Sequence, residues 1–190
     1  MASDTHRFAR IELPNYASQI DLPSFTLPLK SAVLIPKLFR GELSLSLNNR
    51  MACFTGNNVT FTTKLLDVTW PDYTRILPGE PAYSIKLEKA ALADAIAHLL
   101  PFAGDKGLVL RFEGGVCRVV AADKNRKALA ELECPDDLPF ELRVQPRYLQ
   151  DALSKLEAGQ VQLDFTKQGD PVILRDTRPE RLHLVMPRNF

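Results

Sequence analysis

The chain repeats itself three times, and a missed repeat would mis-assign the whole fold. Three segments open on an aromatic residue, alternate like a short strand and then change to helical spacing: Phe25-Thr-Leu-Pro-Leu29, Tyr83-Ser-Ile-Lys-Leu87 and Phe140-Glu-Leu-Arg-Val144. Their starts lie about 57 residues apart, the length of one supersecondary unit. The register continues into the predicted helices. Leu34, Leu92 and Leu149 occupy one equivalent position, and Leu38, Ile96 and Leu153 occupy the equivalent position one turn later.

After each helix the apolar period changes to two, broken by turn residues. In the first copy residues 42–47 run to Asn48-Asn49, 51–54 run to Gly56-Asn57-Asn58, and 59–65 follow. The second copy gives 108–112, a turn at Gly114-Gly115, then 116–121 and 128–133. The third gives 161–165, 172–174 and 182–186. Each copy reads as strand, helix and three strands, so the expected class is α+β, with mostly antiparallel sheets and helices on one face. One copy alone leaves open sheet edges, which template association. Copies two and three are closely joined and predict one domain at 80–190. Copy one, separated from them by Pro78-Gly79-Glu80-Pro81, predicts half of another at 1–79.

Composition removes several classes. With 45% apolar and 25% charged residues the chain can bury a core, and no apolar run approaches the roughly 18–20 residues of a membrane span. The opening MASDTHRFARIELP lacks the build of a secretory signal, which sets a cytosolic expectation. Cys53, Cys117 and Cys134 are unpatterned and read as buried free thiols. No phosphate loop, nucleophile elbow or metal-ligand spacing is present, and His6, His98 and His183 fall in separate stretches. Neither a cofactor, a metal nor an enzyme is expected, and the Asp4/His6 pair is too common a pattern to carry catalysis.

The net charge of +1 argues against bulk coating of nucleic acid, so distribution decides. Lys30, Lys37 and Arg40 flank the first predicted helix, Lys86 and Lys89 the second, and Arg143, Arg147 and Lys155 the third. Glu88, Asp94, Asp151 and Glu157 stand against them. Two readings fit: a mixed solvated face, or a weakly basic surface that touches phosphates without reading sequence.

Four ordered motifs resemble one family. Ser3-Asp-Thr-His-Arg-Phe-Ala9 is similar to the T-D-G-H-R-L-A segment of bacterial sliding clamps, the beta subunit of DNA polymerase III. Thr63-Lys-Leu-Leu-Asp67 with Trp70-Pro-Asp-Tyr-Thr-Arg-Ile-Leu-Pro78 resembles that family's S-K-L-x-D and F-P-D-Y-R-R-V-L-P. Pro146-Arg-Tyr-Leu-Gln-Asp-Ala-Leu153 and Leu184-Val-Met-Pro187 complete the match. The resemblance implies a shortened clamp, from the second half of the middle domain through the C-terminal domain. It also implies helices that line a channel for duplex DNA and a cleft for short linear motifs, Gln followed by Leu and Phe, of polymerases and repair proteins.

Carried onto this chain, the cleft takes Ser3, Thr5, His6, Arg7 and Phe8 on one wall. Pro71, Arg75 and Ile76 form the second, and Val172, Leu184, Val185, Met186 and Pro187 the third. The plain alternative makes Val185 and Met186 merely the last core strand. Thr5 stands at a family glycine and Phe8 at a leucine, which narrows the expected cleft, and the chain ends Arg188-Asn-Phe190 where the family has Met-Arg-Leu. Pro36 is expected to kink or shorten the first helix. Leu99, Leu100 and Phe102 match a family subunit interface, and if bare they would form an apolar patch.

The resemblance implies a processivity factor that self-assembles on duplex DNA in the bacterial cytosol or nucleoid, with a clamp loader as a further candidate partner. The competing readings are a decoy or adaptor that binds motifs without clamping DNA, and a fragment without a role of its own.

Overall fold

The computed structural model describes residues 1–12, 22–70, 72–75, 77, 79–123, 126–178 and 180–188. In chain order the strands and helices are β1 (Ala2–Ser3), β2 (Arg7–Ile11), α1 (Leu29–Leu38), β3 (Ser44–Leu47), β4 (Met51–Gly56) and β5 (Val59–Lys64). Then follow β6 (Tyr83–Glu88), α2 (Lys89–Leu99), β7 (Leu108–Glu113), β8 (Val116–Asp123), β9 (Arg126–Glu133), β10 (Leu142–Val144), α3 (Pro146–Leu153), β11 (Gln160–Phe165), β12 (Val172–Arg175) and β13 (Arg181–Val185). The chain divides into two compact units, Met1–Pro14 with Thr74–Phe190, and Asn15–Tyr73.

The larger unit holds two sheets, ordered β1-β2-β13-β12-β11-β6 and β10-β7-β8-β9, with every pairing antiparallel. Its two modules exchange their leading strands: β6, from the second repeat, lies on β11, and β10, from the third, lies on β7. Two alternating strands thereby close the edge that each module leaves open. Gly107, at φ +74°, lets the second repeat enter β7. A Cβ there would come within 2.5 Å of the Val144 carbonyl, so only glycine allows β10 to lie this close.

Ile85 and Leu87 of β6, Leu92 and Ile96 of α2, Leu149 and Leu153 of α3, and Leu108 and Leu110 of β7 share one core. These helices are anchored differently. Glu88 caps α2, its carboxylate accepting from the amides of Ala90 and Ala91, whereas α3 starts on Pro146, whose missing N–H costs nothing at that position. Leu99, expected as an exposed contact, completes the α2 stripe of Leu92, Ala95 and Ile96 and is only 4% exposed. It belongs to the core, and only Leu100 and Phe102 of that trio stay half-buried.

Among its described residues the smaller unit has one α-helix and the three-stranded sheet β3-β4-β5. Asn57 and Asn58 take φ of 50° and 60° at the β4–β5 turn, the left-handed pair that a two-residue hairpin uses. Its core is small: Phe39, Ala52 and Phe54, with Leu27, Leu45 and Phe61 packed on it. On α1 only Ser31 is buried, where its hydroxyl meets that of Thr63 at 2.6 Å.

Repeat register carries over from sequence to structure here, but burial does not. Leu34 and Leu38 are 41% and 38% exposed, while Leu92, Ile96 and Leu149 are fully buried. Residues 25–28, expected to begin the module as a strand, are irregular. A strand is held by a neighbour, and among the described residues none lies along this segment. Pro36 sits inside α1, which ends two residues later, and the Phe39 amide still donates to the Ile35 carbonyl at 3.0 Å.

Candidate functional site

The first eleven residues form a hairpin that extends the third module. β1 pairs with β2, β2 pairs with β13, and the registers set Phe8 opposite Leu184 and Arg7 opposite Val185. The Met186 amide donates to the His6 carbonyl at 2.9 Å, which ties the end of β13 to the hairpin. Two walls of the sequence-predicted cleft, from opposite ends of the chain, therefore meet along one seam.

Thr5 occupies the hairpin turn at φ +74°. That region suits glycine and strains a β-branched residue, a physical reason for a glycine at this place in the family motif. Asp4 organises the turn. Its carboxylate accepts from the amides of His6 and Arg7 at 3.2 and 3.1 Å and from Arg7 Nε at 2.8 Å, while the Ser3 hydroxyl donates to the Arg7 carbonyl at 3.0 Å. Burial alone would raise the Asp4 carboxyl, but these donors and the Arg7 charge hold it below the usual carboxylate range.

Side chains alternate across β2 and β13, so the predicted residues divide between two faces. Arg7 shares the helix-bearing face with Val185 and Val172 and reaches α3. It donates from Nη1 to Asp151, and its Cζ lies 4.9 Å from the Tyr148 ring centroid. His6 stacks on the same ring, with centroids 6.0 Å apart and planes 16° apart. Asp151 and Asp4 both hold Arg7 firmly protonated. Phe8 and Leu184 lie on the opposite face, where the buried Asp164 accepts from Ser84 and Gln162 at 2.8 and 2.9 Å and from Arg175 at 3.1 Å.

Val185 is interior, as the core-strand alternative expects, whereas Met186 follows the end of β13 and is half-buried; Val172, Phe8 and Leu184 are buried as well. The accessible part consists of Ser3, Thr5 and His6 with the half-buried Arg7, Met186 and Pro187. Arg75 is exposed at the end of a short 3-10 turn, Tyr73–Arg75, while Pro71 and Ile76 lie outside the described residues. Sequence reasoning missed Tyr148 and Asp151 as members of this group. The signal was available, since both fall within the motif at 146–153, three residues apart and so on one helix face.

The expected DNA-facing cations also separate. Lys30, Lys37 and Arg40 are exposed on or just after α1, and Arg147 and Lys155 are exposed on or just after α3. Lys89 Nζ donates to the Leu156 carbonyl at 2.9 Å, so that ammonium is occupied within the fold. Lys86 and Arg143 alternate with Ile85, Leu87, Leu142 and Val144, which face the core. Both therefore stand on the sheet faces away from the helices.

Of the thiols, Cys117 and Cys134 are buried and Cys53 is half-buried, and all three are free. Burial, with Cys134 nearby, pushes Cys117 up to about 12, which keeps it an unreactive thiol at neutral pH. No helix among the described residues is long and apolar enough to cross a membrane.

Comparison with known proteins places this architecture. The family model for the C-terminal domain of the DNA polymerase III beta subunit matches residues 74–189, and the model for its central domain matches residues 1–72. The beta sliding clamp of Caulobacter vibrioides is 25% identical over 195 residues, covering 98% of this chain and 52% of the relative. That of Helicobacter pylori is 24% identical over 188 residues, covering 95% and 50%. The crystal structure of the DNA polymerase sliding clamp from Caulobacter crescentus superposes with a TM-score of 0.91 at 25% identity, over all of this chain and 52% of that one. The DNA polymerase III beta subunit from Thermotoga maritima gives 0.85 at 20% identity, over 100% and 53%.

The fold is that of a sliding clamp. The chain belongs to the DNA polymerase III beta subunit family and spans about half the length of the curated relatives it matches.

Proposed function

We propose that the chain acts as a shortened beta sliding clamp, a processivity factor rather than an enzyme. Its copies assemble, hold duplex DNA by the backbone without reading sequence, and present the β2–β13 seam to short linear motifs of DNA polymerases and repair proteins. Residues 1–79 serve as half of a clamp middle domain and 80–190 as the C-terminal domain, working in the bacterial cytosol or nucleoid, with a clamp loader as a further partner.

The observation that carries this reading is the seam itself. The His6–Tyr148 stack, with Met186 tied to His6 through its backbone amide and Pro187 next in the chain, offers apolar surface to a Leu or Phe anchor. Asp4, Arg7 and Asp151 supply fixed polar groups that orient a bound main chain. For DNA, the exposed Lys30, Lys37, Arg40, Arg147 and Lys155 provide phosphate contacts that need no base recognition. Leu100 and Phe102 are the part of the family-like interface left for contact between copies.

One observation favours the second reading, a motif-binding adaptor that does not hold DNA: Lys86 and Arg143 face away from the helices, and Lys89 is tied to the Leu156 carbonyl. Titrating a fluorescent Gln-x-Leu-Phe peptide against the chain, and against Arg75→Ala and Met186→Ala, tests the part common to both. Saturable binding weakened by these changes supports it, and no binding, or binding indifferent to both, overturns it. Binding without retention on circular DNA selects the adaptor.

A further inference from the structure

Resting on the reading of the chain as an assembling clamp, we propose that two copies pair through their smaller units by exchanging residues 25–29, each laid antiparallel along β3 of the other copy. The larger unit displays the arrangement twice. β10 sets Leu142 opposite Leu110 and Val144 opposite Leu108, and β6 sets Ile85 opposite Leu163 and Leu87 opposite Val161. In the first repeat the donor positions equivalent to Ile85 and Leu87 are Leu27 and Leu29; α1 starts two positions earlier than α2 in the repeat, so the exchange unwinds Leu29, its first residue, into the strand.

The acceptor positions follow from the hairpin. Leu45 pairs with Phe54 as Leu110 pairs with Val119, and Leu47 pairs with Ala52 as Phe112 pairs with Cys117. Leu27 therefore meets Leu45 of the other copy, and Leu29 meets Leu43. Leu29 is 78% exposed and Leu43 37%, both large apolar side chains left in water at the place where their equivalents are covered.

Backbone groups agree. The Thr26 carbonyl accepts from the Leu66 amide at 2.9 Å, so in an extended chain Phe25 and Leu27 direct their N–H and C=O to the opposite edge. Neither has a backbone hydrogen bond among the described residues. Pro28 points to the same side as Thr26, and its missing donor does not obstruct the exchange. β3 has β4 on one side and, among the described residues, no strand on the other. Among the described residues, one module thus carries both a donor segment with one edge unpaired and an acceptor strand with one edge unpaired, and a reciprocal exchange closes with two-fold symmetry. It also brings the two α1 helices together as α2 and α3 are brought together, covering Leu34 and Leu38.

A second copy, rather than a different chain, makes a further demand. Lys37 stands where Ala95 and Ala152 are buried in the larger unit, so two lysines approach the symmetry axis, and the exchange withdraws Lys37 from the phosphate contacts, leaving those to Lys30, Arg40, Arg147 and Lys155. Lys37→Ala tightens self-association, whereas a foreign partner with a carboxylate at that place would bind less well after the same change.

The test mixes two differently tagged full-length chains, one with Leu29→Cys and one with Leu43→Cys, so that a 29–43 disulfide can form only between copies. The unsubstituted chain controls for Cys53, and light scattering gives the mass across a range of concentration. The expected results are a cross-link between tags, absent from the control, and an assembly whose mass halves with Leu29→Asp and persists to greater dilution with Lys37→Ala. Unchanged circular dichroism in Leu29→Asp shows that the exposed site was altered without unfolding. A one-chain mass at all concentrations overturns the exchange, as does an assembly that forms no cross-link and survives Leu29→Asp. Peptide titration of the same preparations reports on the β2–β13 seam separately, so loss of the exchange is distinguishable from loss of the clamp reading.

Discussion

The guanidinium carbon of Arg7 lies 4.9 Å from the centroid of the Tyr148 ring, which joins the second strand of the chain to its last helix. The same ring stacks on His6, so one side chain sets the positions of two residues of the N-terminal hairpin. Tyr148→Ala removes both contacts and, at roughly 1–1.5 kcal/mol for an aromatic or cation–π contact, lowers motif-peptide affinity about tenfold. Anisotropy titration with the same peptide checks this. Unchanged affinity would place the docking surface elsewhere.

Thr5 is a β-branched residue at φ +74°. Thr5→Gly relieves the strain but adds freedom to the unfolded chain, for a net gain of about 1 kcal/mol. Thermal unfolding should shift upward by a few degrees. A lower midpoint would mean that the Thr5 side chain contributes more than its backbone costs.

Burial holds the His183 imidazole below its ordinary value of 6.5, Arg181 and Lys155 adding to burial and Asp176 opposing it. As pH falls the unfolded chain binds that proton first, so stability declines below about pH 6.5 until folded His183 also protonates. Asp4 and Asp176 lie below the ordinary 3.8 and add a second loss as pH falls below that value and on through their folded pKa values. Denaturant midpoints measured across this range should show both declines in the parent chain. His183→Gln should remove the upper one alone, and a midpoint flat between pH 7 and 5 would contradict the assignment.

Leu99→Asp is expected to unfold the larger unit rather than disperse an assembly. It puts a carboxylate into the buried α2 stripe of Leu92, Ala95 and Ile96, at a cost of about 4 kcal/mol. Leu100→Asp, at a half-buried position, should leave the fold intact and report on association. Circular dichroism separates the two, and a folded Leu99→Asp variant would contradict the placement of that side chain.

The repeats made most of the fold legible in the sequence, because each copy keeps helix register and turn chemistry that depend on local residues alone. Asn57-Asn58 and Gly114-Gly115 marked their hairpins through the left-handed conformations that those turns require. Strand exchange between β6 and β10 was not legible, since nothing within one repeat says which sheet will receive its leading strand. Leu99 was misjudged for a related reason: an apolar residue at a helix end reads alike whether it faces a core or a partner.

The seam was half legible. The motifs named Arg7 and Met186, but its position against Tyr148 arises from the pairing of β2 with β13, a contact between distant parts of the chain. Lys86 and Arg143 were grouped with the helices by proximity in sequence, where strand alternation turns them away.

Retention on DNA separates a clamp from every other reading. The purified chain is incubated with nicked circular plasmid at low salt, passed over a sizing column, and compared with the same plasmid linearised beforehand. Co-elution with the circle and loss from the linear form is the result predicted for an assembly that encircles duplex DNA. Absence from both forms, or equal binding to both, would contradict it.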